Sequence, residues 1–317
     1  MAEGKWIDGL TADTDAEDAA QKVFSVRWNV VREYLPLAAE RAYDDVEFVH
    51  QLRVGTRRCA AALKVFRPLL PKHDYKTARN LLRTVRQAAG AARDWDVFLG
   101  NLDASPAMKT ATSQTAGVFL SGFAMGERAA AQASLLTVMQ ANRDEVDDWQ
   151  EALPDAVRAA KDDRIETFGD LAEKYLDALF RTFTTEIAAH PTRPEALHQL
   201  RITGKRVRYA MEIFAGCYAA PFRDRLYPAV AKVQDYLGTV QDSHVAESRL
   251  LGISARLHAS RPELAQQVEP GITEFLEESR QAARDAEDGF RAWETEWAQL
   301  MIAHPLSELL TEVRRKP

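Results

Sequence analysis

One stretch of this chain occurs twice. His50-Gln-Leu-Arg53-Val-Gly-Thr-Arg57-Arg58 returns as His198-Gln-Leu-Arg201-Ile-Thr-Gly-Lys205-Arg206, at an offset of 148. The same offset carries Phe66 onto Phe214, Gly90 through Asp94 onto Gly238 through Asp242, and Val97 onto Val245. A single ungapped offset that aligns two motifs about 40 residues apart marks a duplication. It is close to half of the 317 residues, so the chain reads as two copies of one unit. Such copies are expected to pack about a pseudo-two-fold axis, by analogy with the self-complementary interfaces of dimers.

The unit is expected to be helical. Alanine, leucine, arginine and glutamate dominate, glycine is sparse, and runs of alternating β-branched residues are absent. Phe24, Trp28, Val31 and Leu35 fall at i, i+4, i+7 and i+11, one apolar helix face. Pro68 with Pro71, Pro106, Pro154, Pro191 with Pro194, Pro221, Pro270 and Pro305 are read as helix boundaries. Segments of roughly 15–30 residues with short connections predict antiparallel bundles. The expected class is all-α: two copies of one antiparallel helical unit related by a pseudo-two-fold. No stretch reaches the roughly 18 apolar residues of a membrane helix. The N-terminus lacks a basic segment followed by an apolar run, so no signal peptide is expected. Cys59 and Cys217 are too few for a disulfide framework or a thiolate zinc cluster and are read as small apolar fillers.

The net charge of −6 alone argues against a polyanion ligand, but the charge is segregated. Eleven basic residues and only two acids lie between His50 and Asp94, a net of +9, and His198–Arg208 carries +4. The rest of the chain therefore holds −19. Segregated charge can hold an anion on an acidic protein.

On a helix, His50, Arg53, Arg57 and Lys64 fall within about 60° of one another, a stripe about 21 Å long. His198, Arg201, Lys205 and Arg208 repeat it. Arg58 and Arg206 lie about 80° off the stripe and are weaker candidates. A second basic face follows at Arg79, Arg83, Arg86 and Arg93. Its counterpart is thinner: Lys232 is basic, but Ala231, Gln234 and Gln241 replace Arg83, Arg86 and Arg93. Like charges at i, i+4 repel by a few tenths of a kcal/mol, so such stripes face open water, pair with acids from elsewhere, or await an external anion. Arginine forks and lysine point charges both suit phosphate. Two related stripes lining one elongated groove suit a linear polyanion better than a compact nucleotide.

These motifs resemble the CHAD domain (conserved histidine α-helical domain). The likeness covers about residues 15–305, with repeats at about 15–145 and 163–305 and with tails at 1–14 and 306–317. The resemblance implies that each copy is a four-helix bundle and that the two pseudo-symmetric bundles form one compact unit, which binds inorganic polyphosphate in a central basic groove, without catalysis or cofactor. It also implies a cytoplasmic protein that can associate with polyphosphate granules. The positions matching the family are His50, Arg53, Arg57, Arg93, His198, Arg201, Lys205, Arg208 and Lys232. Family members often carry a triphosphate-tunnel domain too. The chain has no Glu-x-Glu-x-Lys motif, so it is read as a stand-alone copy. Lys64, Arg83 and Arg86 complete the expected polyphosphate site. Gln241 in place of a basic residue makes the halves unequal.

The alternatives are a phosphohydrolase or phosphotransferase acting on polyphosphate, and a nucleic-acid-binding helical module. The first needs metal-binding carboxylates beside the phosphates, and the stripes contain none. The second needs aromatics interleaved for stacking, and the stripes lack them, so nucleic acid is not the expected partner. His73-Asp74 is similar to the metal pair of HD phosphohydrolases, but no properly spaced partners complete it, and no metal is expected. Asp94 and Asp242 are read as orienting arginines or capping helices. Gly90 and Gly238 are read as permitting close helix packing or a kink.

Overall fold

The computed structural model describes residues 5–159 and 165–311. Among them are eight long α-helices: α1 (Ala16–Glu40), α2 (Glu47–Val65), α3 (Lys72–Ala104), α4 (Ala111–Asp155), α5 (Phe168–Ala188), α6 (Pro194–Phe214), α7 (Tyr227–Ser260) and α8 (Pro262–Ala303). A short α9 (Leu306–Leu309) follows, and the described residues contain no strand. The all-α class read from the sequence holds. The offset of 148 also carries Glu40 onto Ala188 and Asp155 onto Ala303, the last residues of paired helices.

Local chemistry sets the boundaries. The Asp15 carboxylate accepts the amides of Glu17 and Asp18 and so caps α1. Thr167 and Asp170 form a capping box on α5. Phe24, Trp28, Val31 and Leu35 are fully buried, as their spacing predicts.

Two expectations need correction. The helices outgrow 30 residues: α4 has 45 and α8 has 42. Pro270 lies inside α8 and marks no boundary. The helix is carried through it by packing: Val268 and Ile272 are buried beside it, and Gly271 fits against Ala116 and Ser113 of α4, where an added Cβ would lie 2.5 Å from the Ala116 methyl. Tertiary contact outweighs the missing hydrogen bond.

In the first half α1 packs on α2 and α4, α2 on α3, and α3 on α4. In the second, α5 packs on α6, α6 on α7, and α7 on α8. The halves meet where α2 lies on α6 and α4 on α8. They are also zipped at their starts, where Phe168 donates its amide to Thr14 (2.7 Å) and Ala16 to Glu166 (3.1 Å). Residues 5–14, expected as a tail, are packed: Ile7, Leu10 and Ala12 are buried, and Trp6 meets Tyr227 edge-on.

Apolar burial divides along the helices. One core takes in α1, α2, α5 and α6 with the adjoining ends of α3, α4, α7 and α8. A second, smaller core joins Phe98 and Leu102 of α3, Ala116 to Ala124 of α4, Leu250 to Leu257 of α7 and Ala265 to Leu276 of α8. Between them is a polar waist. There Arg128 pairs with Asp96 (2.6 Å) and bonds Gln132, whose amide caps the carbonyls of Ala38 and Ala39 at the end of α1. Arg93, Asp94, Gln241 and Asp242 also lie at this level.

Candidate functional site

The cations of α2 and α6 come together where these helices cross. A cleft of about 260 Å³ is lined by Arg57, Lys64, Arg86, Lys205 and Arg206, with Tyr175 and Tyr209 among its walls. Arg53 and Arg201 adjoin it, each close enough to the other repeat's cations to repel them. Among the described residues, none of Arg57, Lys64, Arg86, Arg201, Lys205, Arg206 and Arg208 comes within 4.0 Å of a carboxylate oxygen. Arg201 and Arg208 each keep a buried Nε without a hydrogen-bond partner. Buried donors are rarely left so.

This crowding shows in the electrostatics. Burial pushes Lys205 down to about 7, and Arg201, Arg57 and Arg208 push the same way. Burial also lowers Arg57, helped by Arg53. Burial and then Arg206 lower Lys64. Arg201 is lowered by burial and by Arg53, although Asp242 opposes this. Arg208 is the exception: burial opposes its charge, but Tyr209 and Glu212 raise it. Lys205, brought to about 7, is the one of these that gains charge when an anion arrives.

At the waist the repeats differ. Arg53 holds Asp94 at 2.5 Å, as expected of an orienting carboxylate. His50 is held below its ordinary value by burial and by Arg93. In the second copy, His198 Nδ1 meets the amide oxygen of Gln241 at 2.8 Å. Gly90 and Gly238 are not at a close approach, contrary to expectation: an added Cβ at either would touch nothing within 4 Å.

Other expected members fall elsewhere. Lys232 is bonded to Glu296 of α8 at 2.6 Å and does not line the cleft. Arg83 is exposed on α3 outside the lining, whereas Arg86, one turn on, is within it. Arg58 is no surface cation. It is buried and donates to Glu212 at 2.9 Å, with the Tyr227 hydroxyl donating to the same carboxylate and Arg27 at 4.0 Å. Sequence reasoning missed Arg206, set aside as off the stripe, and it missed the two tyrosines. The signal for Tyr209 was available, since it adjoins Arg208 and ends up bonding Arg57.

A larger cleft of about 380 Å³ lies by the second core between α3, α7 and α8. Its lining carries Asp242 and Glu278 and no cation, the wrong sign for a polyanion.

The CHAD domain model matches residues 29–251, well over half the chain and both copies of the histidine motif. The chain belongs to the CHAD family. Two solved structures place this CHAD protein among relatives of the same fold. One is the CHAD domain from the plant Ricinus communis, with a TM-score of 0.72 at 22% identity, covering 92% of this chain and 95% of that one. The other is PptA from Streptomyces chartreusis, with a TM-score of 0.71 at 17% identity, covering 89% and 100%. No curated protein matches the sequence. Among the described residues, no helix is long and apolar enough to cross a membrane.

Proposed function

We propose that the α2–α6 cleft binds inorganic polyphosphate and does not turn it over. The observation that carries this is a set of cations from both repeats gathered along one seam, Arg57, Arg201, Lys205 and Arg208 half-buried and Lys64, Arg86 and Arg206 exposed, with no carboxylate oxygen within 4.0 Å among the described residues. Such an arrangement destabilises itself unless an external anion neutralises it. Arg57, Lys64, Arg86, Arg201, Lys205, Arg206 and Arg208 would contact the phosphates, with Arg53 held ready by Asp94 and with His50, Arg93 and His198 at the waist. A linear polymer can engage the seam along its length, which a compact nucleotide cannot. Family membership supports the same reading, together with a cytoplasmic setting and association with polyphosphate granules. Asp94 serves here as the partner of Arg53, and Asp242 as a more distant counter-charge to Arg201.

The test is a titration with polyphosphate at several salt concentrations. Affinity should fall steeply with salt, because binding releases counterions. The double variant Arg53→Ala/Arg201→Ala should lose at least about a hundredfold in affinity at constant helicity, given about 1.5–3 kcal/mol for each charge-assisted contact. Salt-insensitive binding, or a double variant that binds like wild type, would overturn the assignment. Polyphosphate incubated with Mg²⁺ or Mn²⁺ should release no phosphate; sustained release would make the protein an enzyme. Tyr175 and Tyr209 give nucleic acid a foothold for stacking. Polyphosphate should nevertheless outcompete a single-stranded oligonucleotide, and the reverse order would favour the nucleic-acid reading.

A further inference from the structure

Lys205 is set apart from the other lysines by its surroundings. Its ammonium is repelled by Arg201 and Arg208 of its own helix and by Arg57 of α2. Arg86 of α3 and the Tyr175 phenol of α5 line the same cleft. Asp242 of α7 acts on it in the other sense, and its effect is smaller than that of each of those three arginines. The side chain is half-buried and opens into the 260 Å³ cleft. Lys64 lines the cleft too, but it is exposed. Lys232 is exposed and bonded to Glu296.

Two requirements for lysine acylation meet at this position. The first is an unprotonated amine. An exposed lysine is neutral to about one part in a thousand near pH 7.5, whereas Lys205, at about 7 before any anion binds, is mostly neutral there and keeps a larger neutral fraction than an exposed lysine when one small phosphate raises it only part of the way. The second is a place for a leaving group. An acyl phosphate carries its anionic phosphate next to the electrophilic carbonyl carbon, and the guanidinium groups around Lys205 suit that phosphate. Docking the phosphate on them sets the carbonyl beside the amine, as proximity catalysis requires.

We propose that Lys205 is a site of self-acylation by small acyl phosphates held in the α2–α6 cleft. The Lys205 Nζ lone pair attacks the acyl carbon, and the carbon–oxygen bond to phosphate breaks. Inorganic phosphate leaves with the bonding pair, one amine proton passes to solvent, and an amide remains. The product has lost a positive charge from the centre of the cation cluster, so acylation weakens polyanion binding. The proposal rests on the reading of the cleft as a phosphate site.

The experiment incubates the whole protein with acetyl phosphate at pH 7.5 and follows each lysine by peptide mass spectrometry. Lys205 should be acetylated at least about tenfold faster than the exposed Lys22 and Lys109, even after its lower basicity is allowed for. Tripolyphosphate should slow Lys205 and leave Lys22 and Lys109 unchanged. Lys205→Arg should erase the fast site without creating another. If Lys205 reacts no faster than Lys22 and Lys109, the proposal is overturned. A parallel titration separates the two readings. Tripolyphosphate binding without selective acetylation sinks only the acylation site. Selective acetylation with neither tripolyphosphate binding nor protection sinks the polyphosphate reading and leaves the reactive lysine standing.

Discussion

The two ends of the α2–α6 seam are built from the same duplicated positions and have opposite fates. The offset of 148 maps Arg58 onto Arg206 and Lys64 onto Glu212. At one end Arg58 of α2 meets Glu212 of α6, and both are buried in an ion pair completed by Tyr227 and Arg27. At the other, Lys64 of α2 faces Arg206 of α6, two cations at the surface of the cleft. The exchange of lysine for glutamate decides the charge of the residue facing each arginine, and so separates a structural clasp from an open cationic mouth. Duplication supplied two equivalent sites, and they differ at three pairs of positions: Lys64 against Glu212, Arg27 against Tyr175, and Arg79 against Tyr227.

Breaking the clasp should have the largest effect on the fold. Glu212→Gln strands Arg27 and Arg58 in the interior, where losing one partner of a buried pair costs about 3–5 kcal/mol. Thermal unfolding should show a drop of about 10 °C, since each kcal/mol moves a chain of this size by roughly 2–4 °C. An unchanged melting temperature would mean that Arg27 and Arg58 need no counter-charge.

Copying the clasp to the other end sharpens the contrast. Lys64→Glu gives Arg206 the partner that Arg58 already has. Stability should stay within about 1 kcal/mol, as for an exposed pair. Polyphosphate affinity should fall about tenfold or more, and the salt slope should shrink by about 1–2. Full retention of affinity would place the ligand away from this mouth.

Proton linkage gives a third, smaller effect. Lys205 is about half charged at pH 7. A bound polyanion raises its pKa, so the complex holds more protons than the free protein and affinity declines as pH rises through 7. Between pH 6 and pH 8.5 the loss should approach tenfold, the worth of one charged contact. Calorimetry in buffers of different ionisation enthalpy should register the proton uptake, and Lys205→Arg should abolish both effects. Without ligand the sign for stability is opposite. The folded-state value lies below the unfolded one of about 10.4, so Lys205 weakens the fold as pH falls from about 10 towards 7.

Glycines on mated helices give the finest comparison. Gly238→Ala, into open space on a helix, should raise stability by about 0.5–1 kcal/mol. Gly204→Ala should lower it, because a Cβ there would fall 2.1 Å from the amide of buried Gln234. Chemical denaturation of the two variants should move in opposite directions.

The duplication made most of the fold legible. It paired the helices, and the 3.6-residue period marked the face of α1 that is buried. Helix lengths were less legible, because Pro270 read locally as a stop while packing holds it inside α8. Of the residues the stripe calculation groups, Arg57, Lys64 and Lys205 line the α2–α6 cleft, while Arg58 and Arg206, set aside at the same angle, part ways. Arg58 and Arg206 lie at the same angle on their helices, yet one is buried in a clasp and the other lines the cleft. No single-helix projection separates them, since the difference lies in the residue facing each from the opposite helix. Lys232 shows the converse: its spacing looked suitable, and Glu296, 64 residues away, captured it.

The polar waist carries a consequence for how this molecule comes apart. The smaller core is cut off from the larger by a layer of charged groups and amides, so the far tips of the α3–α4 and α7–α8 hairpins form their own cooperative block. Amides near Leu120 and Ile272 should exchange with deuterium as one group, earlier than those near Trp28 and Phe214, so that the tips can fray while the seam between α2 and α6 stays shut.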